Sequence, residues 1–288
     1  MARPRGAFPS PKWKAFAAPA CRAIAGIPAA FSVIPPTLNT WGNTTYGDCV
    51  SAEEGAKLAQ YSVMCGLSEV LCPDAILVAW ARKHGFLNGA NLTDVMDAMI
   101  SDGIAINGIT YKDGPYQSVD WTNDAVLSSA IFTGPVKIAV AASQLEDVVT
   151  DSNGWWGTQF KKDHNSDHCV NLCGFGSASA VADIVKTSPP SGFNNSSRCY
   201  LLFTWGTIGV IDQASMEAIT DEAWLRSPST VGEGPAPTPS PIPPTPPTPP
   251  VPPVPPSPSY PMSGVYQVGV YQVNWAATLN DPPPPADL

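Results

Sequence analysis

Charge and histidine are both scarce in this 288-residue chain: 14% of its residues are Asp, Glu, Lys or Arg, and only His84, His164 and His168 carry an imidazole. Any imidazole chemistry is therefore confined to three positions. No acidic residue occurs before Asp48, so all 24 carboxylates fall later and set a net charge of −9. An acidic balance of this kind argues against nucleic-acid binding as the main role. No apolar run reaches eighteen residues, which excludes an obvious transmembrane helix, and the N-terminus lacks the compact apolar core of a signal peptide.

The 44% hydrophobic content is enough for a sizeable core, and the 33 prolines are concentrated rather than spread. Residues 1–37 form a basic arm with Arg3, Arg5, Lys12, Lys14 and Arg22, in which seven prolines are expected to block regular structure. Two readings fit it: a leader draped over a surface, or an arm docking on an acidic partner. Its lack of acids also resembles an organelle transit peptide, but the proline spacing spoils an amphipathic helix. Residues 38–231 read as the globular domain. Residues 232–261 form a linker whose stretch from Pro235 to Pro261 is built from Pro-Thr, Pro-Pro-Val and Pro-Pro-Ser units that favour polyproline II, giving a spacer of roughly 80 Å at about 3.1 Å per residue. Residues 262–288 hold a tandem Gly-Val-Tyr-Gln-Val whose alternation suits a β-strand for attachment.

Within the domain, Trp41-Gly42-Asn43-Thr44-Thr45-Tyr46-Gly47-Asp48-Cys49 reads as a loop delivering a cysteine to the first turn of a helix. Unpaired N–H groups and the positive end of the helix dipole favour a thiolate there. Of the possible bases, His168 opens a short apolar run ending in Gly174-Phe175-Gly176, expected to be a buried strand. Its alternation puts His168, Val170 and Leu172 on one face and Cys169, Asn171 and Cys173 on the other, which speaks against a zinc site using both sets. His84 ends a second expected helix and reads as a cap. Pro135–Ala142 and Cys199–Gly206 read as further strands, Ser177–Arg198 as a long connection, and Trp155-Trp156 as a core cover or a cleft wall. Seven cysteines are an odd set, so at least one is free if the rest pair, and Cys49 is the choice for that one.

This order resembles the papain-like cysteine peptidases: a helix-borne Cys, a distant strand His before Gly-aromatic-Gly, then Thr204-Trp205-Gly206. Gly42-Asn43-Thr44-Thr45-Tyr46-Gly47-Asp48-Cys49 and Asp221-Glu222-Ala223-Trp224 are similar to a group of uncharacterised phage and bacterial members. The resemblance spans roughly residues 38–226 and implies an α+β fold, with one helical half carrying Cys49 and an antiparallel β half carrying His168. It implies Cys49 as nucleophile, His168 as base, and Asn43, six residues upstream of Cys49, as oxyanion donor. Aligning Thr-Trp-Gly on the family's Ser-Trp-Gly puts Phe203 where an Asn should orient the His. Asp183, where bacteriocin-processing relatives place an acid, is the alternative third group.

Two functions follow as expectations: a thiol hydrolase cleaving peptide or amide bonds, or a non-catalytic virion component that keeps the fold. No cofactor is expected. A phage particle is the expected location, with secreted or cytoplasmic placement as alternatives, and attachment to structural proteins is expected through residues 1–37 and 262–288.

Overall fold

The computed structural model describes residues 3–230 and the backbone of 262–268 and 271–277, with side chains described through Arg226. The proline-rich stretch 232–261 lies outside the described residues. Contacts divide the chain into two compact units, Met1–Glu233 and Gly234–Leu288.

The helical half of the first unit is built on α2, Cys49–Met64, with the short α1, Lys12–Ala17, preceding it in the chain. Every residue of α2 from Cys49 to Ser62 is buried, its Ala52, Ala56 and Ala59 allowing close packing on all sides. α3, Asp74–His84, starts after Pro73 and stops at Gly85, whose φ of 79° is the left-handed conformation that ends helices. α4, Leu92–Ser101, buries Leu92, Val95, Met96 and Met99 on one stripe, each worth about 1.5–3 kcal/mol. The capping position is Asn91; Thr93 is buried inside the helix.

The β half is one sheet of nine strands among the described residues. In the arm lie β1 (Ala7–Phe8) and β2 (Phe31–Ser32); β3 (Ala90–Asn91) pairs with β1. The sheet itself runs from β4 (Ile104–Ile106) and β5 (Ile109–Ser118) through β11 (Thr220–Thr230), β6 (Val136–Val140), β8 (His168–Ser177), β9 (Arg198–Thr204) and β10 (Thr207–Asp212) to β7 (Trp156–Gly157), with β2 added on β8. Within this nine-stranded sheet all pairings but β10–β7 are antiparallel, while the separate β1–β3 pair is parallel. Helices α5 (Asp124–Thr133), α6 (Ser143–Val148), α7 (Ala178–Val185) and α8 (Gln213–Ile219) join them. The architecture is the expected α+β arrangement of a helical half and a sheet half.

Two segments differ from expectation. The stretch 177–198 contains α7, opened by Ser177, whose hydroxyl accepts from the Ala180 amide, and burying Val181 and Ala182. Prolines later in that stretch hid a helix in its first half. The arm also forms regular structure and lies on its own body. Pro11 caps α1, where a missing N–H is harmless, and Phe31 pairs with Phe175 of β8. In the second unit, β12 (Met262–Val268) and β13 (Tyr271–Ala277) pair antiparallel as a hairpin, rather than forming one strand.

Six buried charges fasten α2 to the sheet. Arg226 of β11 binds Glu53 (2.5 Å) and Glu54 (3.1 Å), Lys137 of β6 binds both glutamates, and Lys57 binds Glu54 (2.9 Å) and Asp113 (2.5 Å). The set is neutral, three acids against three cations. Lys137 also donates to the Val50 carbonyl at 3.0 Å, reaching the first turn of the cysteine helix.

Candidate active site

Cys49 is the first residue of α2, and His168 is the first of β8. Both line one cavity of about 20 Å3, room for a single water molecule, together with Trp41, Asn43, Phe203, Thr204 and Trp205. The cysteine and histidine, 119 positions apart in sequence, thus share a site at the seam of the two halves.

The histidine's third partner is Thr204. Its Oγ1 lies 2.7 Å from His168 Nε2, while Nδ1 is buried without a hydrogen-bond partner. Trp205 stacks on the imidazole with centroids 4.1 Å apart and an interplanar angle of 11°. Phe203 does not orient the ring. It points to the other face of β9 and meets Trp41 edge-on at 5.8 Å. The residue that meets the imidazole is therefore Thr204, one position after the one the Thr-Trp-Gly alignment singles out. Asp183 is exposed on α7, outside the cavity, and is replaced as the candidate by Thr204. Thr204 was discoverable from β alternation, since residues 203 and 204 must face opposite ways.

Asn43 is buried in the cavity wall, and its amide donates to the Tyr46 carbonyl (3.1 Å) and to Asp48 (3.5 Å). Asp48 is itself buried, which pushes its carboxyl up to about 7, with the Asn43 hydrogen bond acting against the rise. The backbone N–H of Cys49, at the helix start, has no acceptor within the helix. Trp41 and Trp205, walls of the cavity, have φ of 46° and 45°, a region that costs a bulky residue about 1–3 kcal/mol.

Sequence reasoning missed the occupant. Gly6 and Ala7 of the arm donate their amides to the Asp167 carbonyl at 2.9 and 3.0 Å, beside His168. The crossing requires glycine: a Cβ on Gly6 would sit 1.7 Å from the Gly47 carbonyl oxygen, in the loop that presents Cys49. Arg5 spans Glu146 (2.5 Å) and Asp167 (2.6 Å), and Arg3 lies 4.9 Å over the Trp205 ring. No sequence signal marks this contact.

Burial at the seam of the two halves outweighs the helix dipole. It pushes the Cys49 thiol up to about 12, with hydrogen bonding to the Cys169 and Gly6 backbone acting weakly against it. The same burial, together with the charges of Arg5 and Arg3, pushes His168 down to about 3. Both shifts favour the neutral thiol and the neutral imidazole, opposite in direction to the activation expected of a cysteine at a helix start.

Other sequence candidates lie elsewhere. Trp155 covers Gly209 and donates to Thr207 Oγ1 at 3.1 Å, so it covers core rather than the cleft. His84 lies 3.4 Å from Asp102, and His164 3.0 Å from Asp221. Cys49, Cys72, Cys169, Cys173 and Cys199 are free thiols. Among the described residues no cluster of three or more His, Cys, Asp or Glu side chains is arranged to hold a metal ion, and no helix is long and apolar enough to cross a membrane.

No protein-family model and no curated protein matches the sequence. Solved structures of papain-like cysteine proteases do resemble it. One, from work on the mite allergens Blo t 1 and Der p 1, gives a TM-score of 0.55 at 14% identity, covering 75% of this chain and 77% of its own. The ragweed pollen allergen Amb a 11 cysteine protease, in its proform, gives 0.52 at 12%, covering 71% and 67%. Digestive procathepsin L 3 of the Tenebrio molitor larval midgut gives 0.51 at 13%, covering 73% and 75%. The fold is papain-like.

Proposed function

We propose that the chain is a papain-like thiol hydrolase acting on peptide or amide bonds. The observation that carries this is a single cavity lined by Cys49 at a helix start and by His168, whose far nitrogen meets Thr204. The Cys49 proton passes to the open Nδ1 of His168, and the sulfur attacks the carbonyl carbon. The resulting oxyanion faces the Cys49 backbone N–H and, once it exchanges its present acceptors, the Asn43 amide. Collapse breaks the C–N bond while His168 returns the proton to the leaving amine. Water, deprotonated by His168, then hydrolyses the thioester and restores the thiol.

The neutral pair and the occupied cleft favour a second reading, in which the fold is retained for a structural role. We place the protein on a phage particle in either case, on the sequence resemblance of residues 42–49 and 221–224, with residues 1–37 and 262–288 as attachment segments.

Iodoacetamide labelling separates the two readings. In the intact chain, burial that pushes the Cys49 thiol up makes it label far more slowly than an ordinary cysteine near neutral pH. Ejecting the arm with Gly6→Val is expected to raise Cys49 labelling by orders of magnitude, and His168→Ala in that background to abolish the gain below pH 8. Labelling that climbs only as for an isolated thiol, indifferent to His168, leaves the structural reading. A peptide pool incubated with the Gly6→Val chain, but not with its Cys49→Ala counterpart, should yield new termini by mass spectrometry.

A further inference from the structure

The carboxylates beside the cavity grip one guanidinium with three N–H bonds. Glu146 takes Arg5 Nε (3.3 Å) and Nη2 (2.5 Å), and Asp167 takes Nη1 (2.6 Å). Glu146 also accepts the backbone N–H of Arg3 at 3.0 Å. These groups form a planar fork-to-carboxylate geometry that a lysine or a neutral side chain would not fill. The next residue, Gly6, gives its amide to the carbonyl of the same Asp167 and lies at the Cys49 sulfur. Peptide backbone and arginine side chain are therefore read together, one residue apart, over the nucleophile. His168 Nδ1 meets no protein group in that cavity, so the arm lies over the imidazole without bonding to its near nitrogen.

We propose that Glu146 and Asp167 form an arginine-selective subsite of the peptide cleft, occupied here by the chain's own Arg5, and that the cleft accepts basic peptides with arginine next to glycine. This rests on the peptide-hydrolase reading and names its substrate class. Arg3 on Trp205 extends the preference to a second arginine two residues upstream. Arg3, Arg5 and Lys14 of the arm pair with Asp151, Glu146, Asp167 and Asp97 of the body, which is the charge complementarity such selection needs.

The test uses the full chain with Gly6→Val, which cannot seat its own arm, and Cys49→Ala, which cannot turn over. Anisotropy of a labelled peptide Arg-Pro-Arg-Gly-Ala-Phe-Pro, the sequence of residues 3–9, is compared with the same peptide bearing citrulline for arginine. The arginine peptide is expected to bind at least tenfold tighter. Glu146→Gln should remove that advantage and leave citrulline binding unchanged. Equal binding of the two peptides overturns the subsite. Arg3→Ala/Arg5→Ala offers a second way to release the arm. If Cys49 stays shielded from iodoacetamide in both backgrounds and neither peptide binds, the arm is a fixed part of the fold and the proposal falls. Arginine-selective binding without cleavage by the Cys49 form keeps the subsite and sinks the hydrolase. Cleavage indifferent to citrulline does the reverse.

Discussion

Lys137→Met tests whether the buried charges hold the cysteine helix in place. Lys137 is fully buried on β6, binds Glu53 and Glu54, and donates to the Val50 carbonyl. Methionine has similar reach and no charge, so it leaves a neutral set of six with one uncompensated negative charge in the core. Breaking such a pair costs about 3–5 kcal/mol, because the remaining ion keeps its desolvation penalty. For a body of this size about 2–4 °C is lost per kcal/mol, so Tm should fall by roughly 6–20 °C in calorimetry. Glu54→Gln in the same chain restores neutrality, and the double variant should recover a large part of the loss. That non-additivity is the signature of a coupled network. The pH dependence has a fixed sign. Three cations hold the Glu54 carboxyl well below the usual carboxylate range despite its burial. Its folded pKa is depressed, so the unfolded state takes up the proton first. Stability from this group is full above the unfolded value, about 4.3, and is lost as pH falls below it toward the folded value. Lys137→Met should flatten this acid limb. A single variant costing under about 1 kcal/mol, with the two substitutions strictly additive, would refute the reasoning.

Two further outcomes follow from the site. Thr204→Val removes the hydroxyl partner of His168 Nε2. In the Gly6→Val background it should cost about 1–3 kcal/mol of stability and about 10- to 100-fold in His168-dependent alkylation of Cys49, while Thr204→Ser keeps both; equal losses in the two would show that the hydroxyl does not orient the ring. Gly55→Ala places a methyl 2.6 Å from the fully buried Trp41 ring and should destabilise by about 1–3 kcal/mol in urea titration, against the slight gain that a helix ordinarily draws from this change.

The placement of Cys49 and His168 was legible because each stands at the head of an element with a strong local signature. Cys49 follows a glycine-punctuated loop and opens a small-residue helix; His168 opens an apolar strand. The partner of His168 Nε2 was legible only through strand alternation, because a tripeptide match says nothing of which face a residue takes and the sheet sends Phe203 and Thr204 opposite ways. The charges of α2 were also hidden. Glu53, Glu54 and Lys57 look like a solvated helix face until Lys137 and Arg226, about 80 and 170 positions later, are brought against them. The occluding arm was the least legible feature. Its fit rests on bare backbone at Gly6 and Gly47 and on carboxylates far along the chain, none of which leaves a local pattern.

The left-handed backbone at Trp205 has one more consequence. Glycine there would relax the main chain by about 1–3 kcal/mol, a gain comparable to what the lost ring stack and partial burial would remove. Folding is thus close to indifferent to the indole. What would change is the wetness of the imidazole, since the ring is the lid that keeps solvent off one of its flat sides. Tolerance of change at this position therefore reports on dryness of the reacting pair, separately from the integrity of the body that carries it.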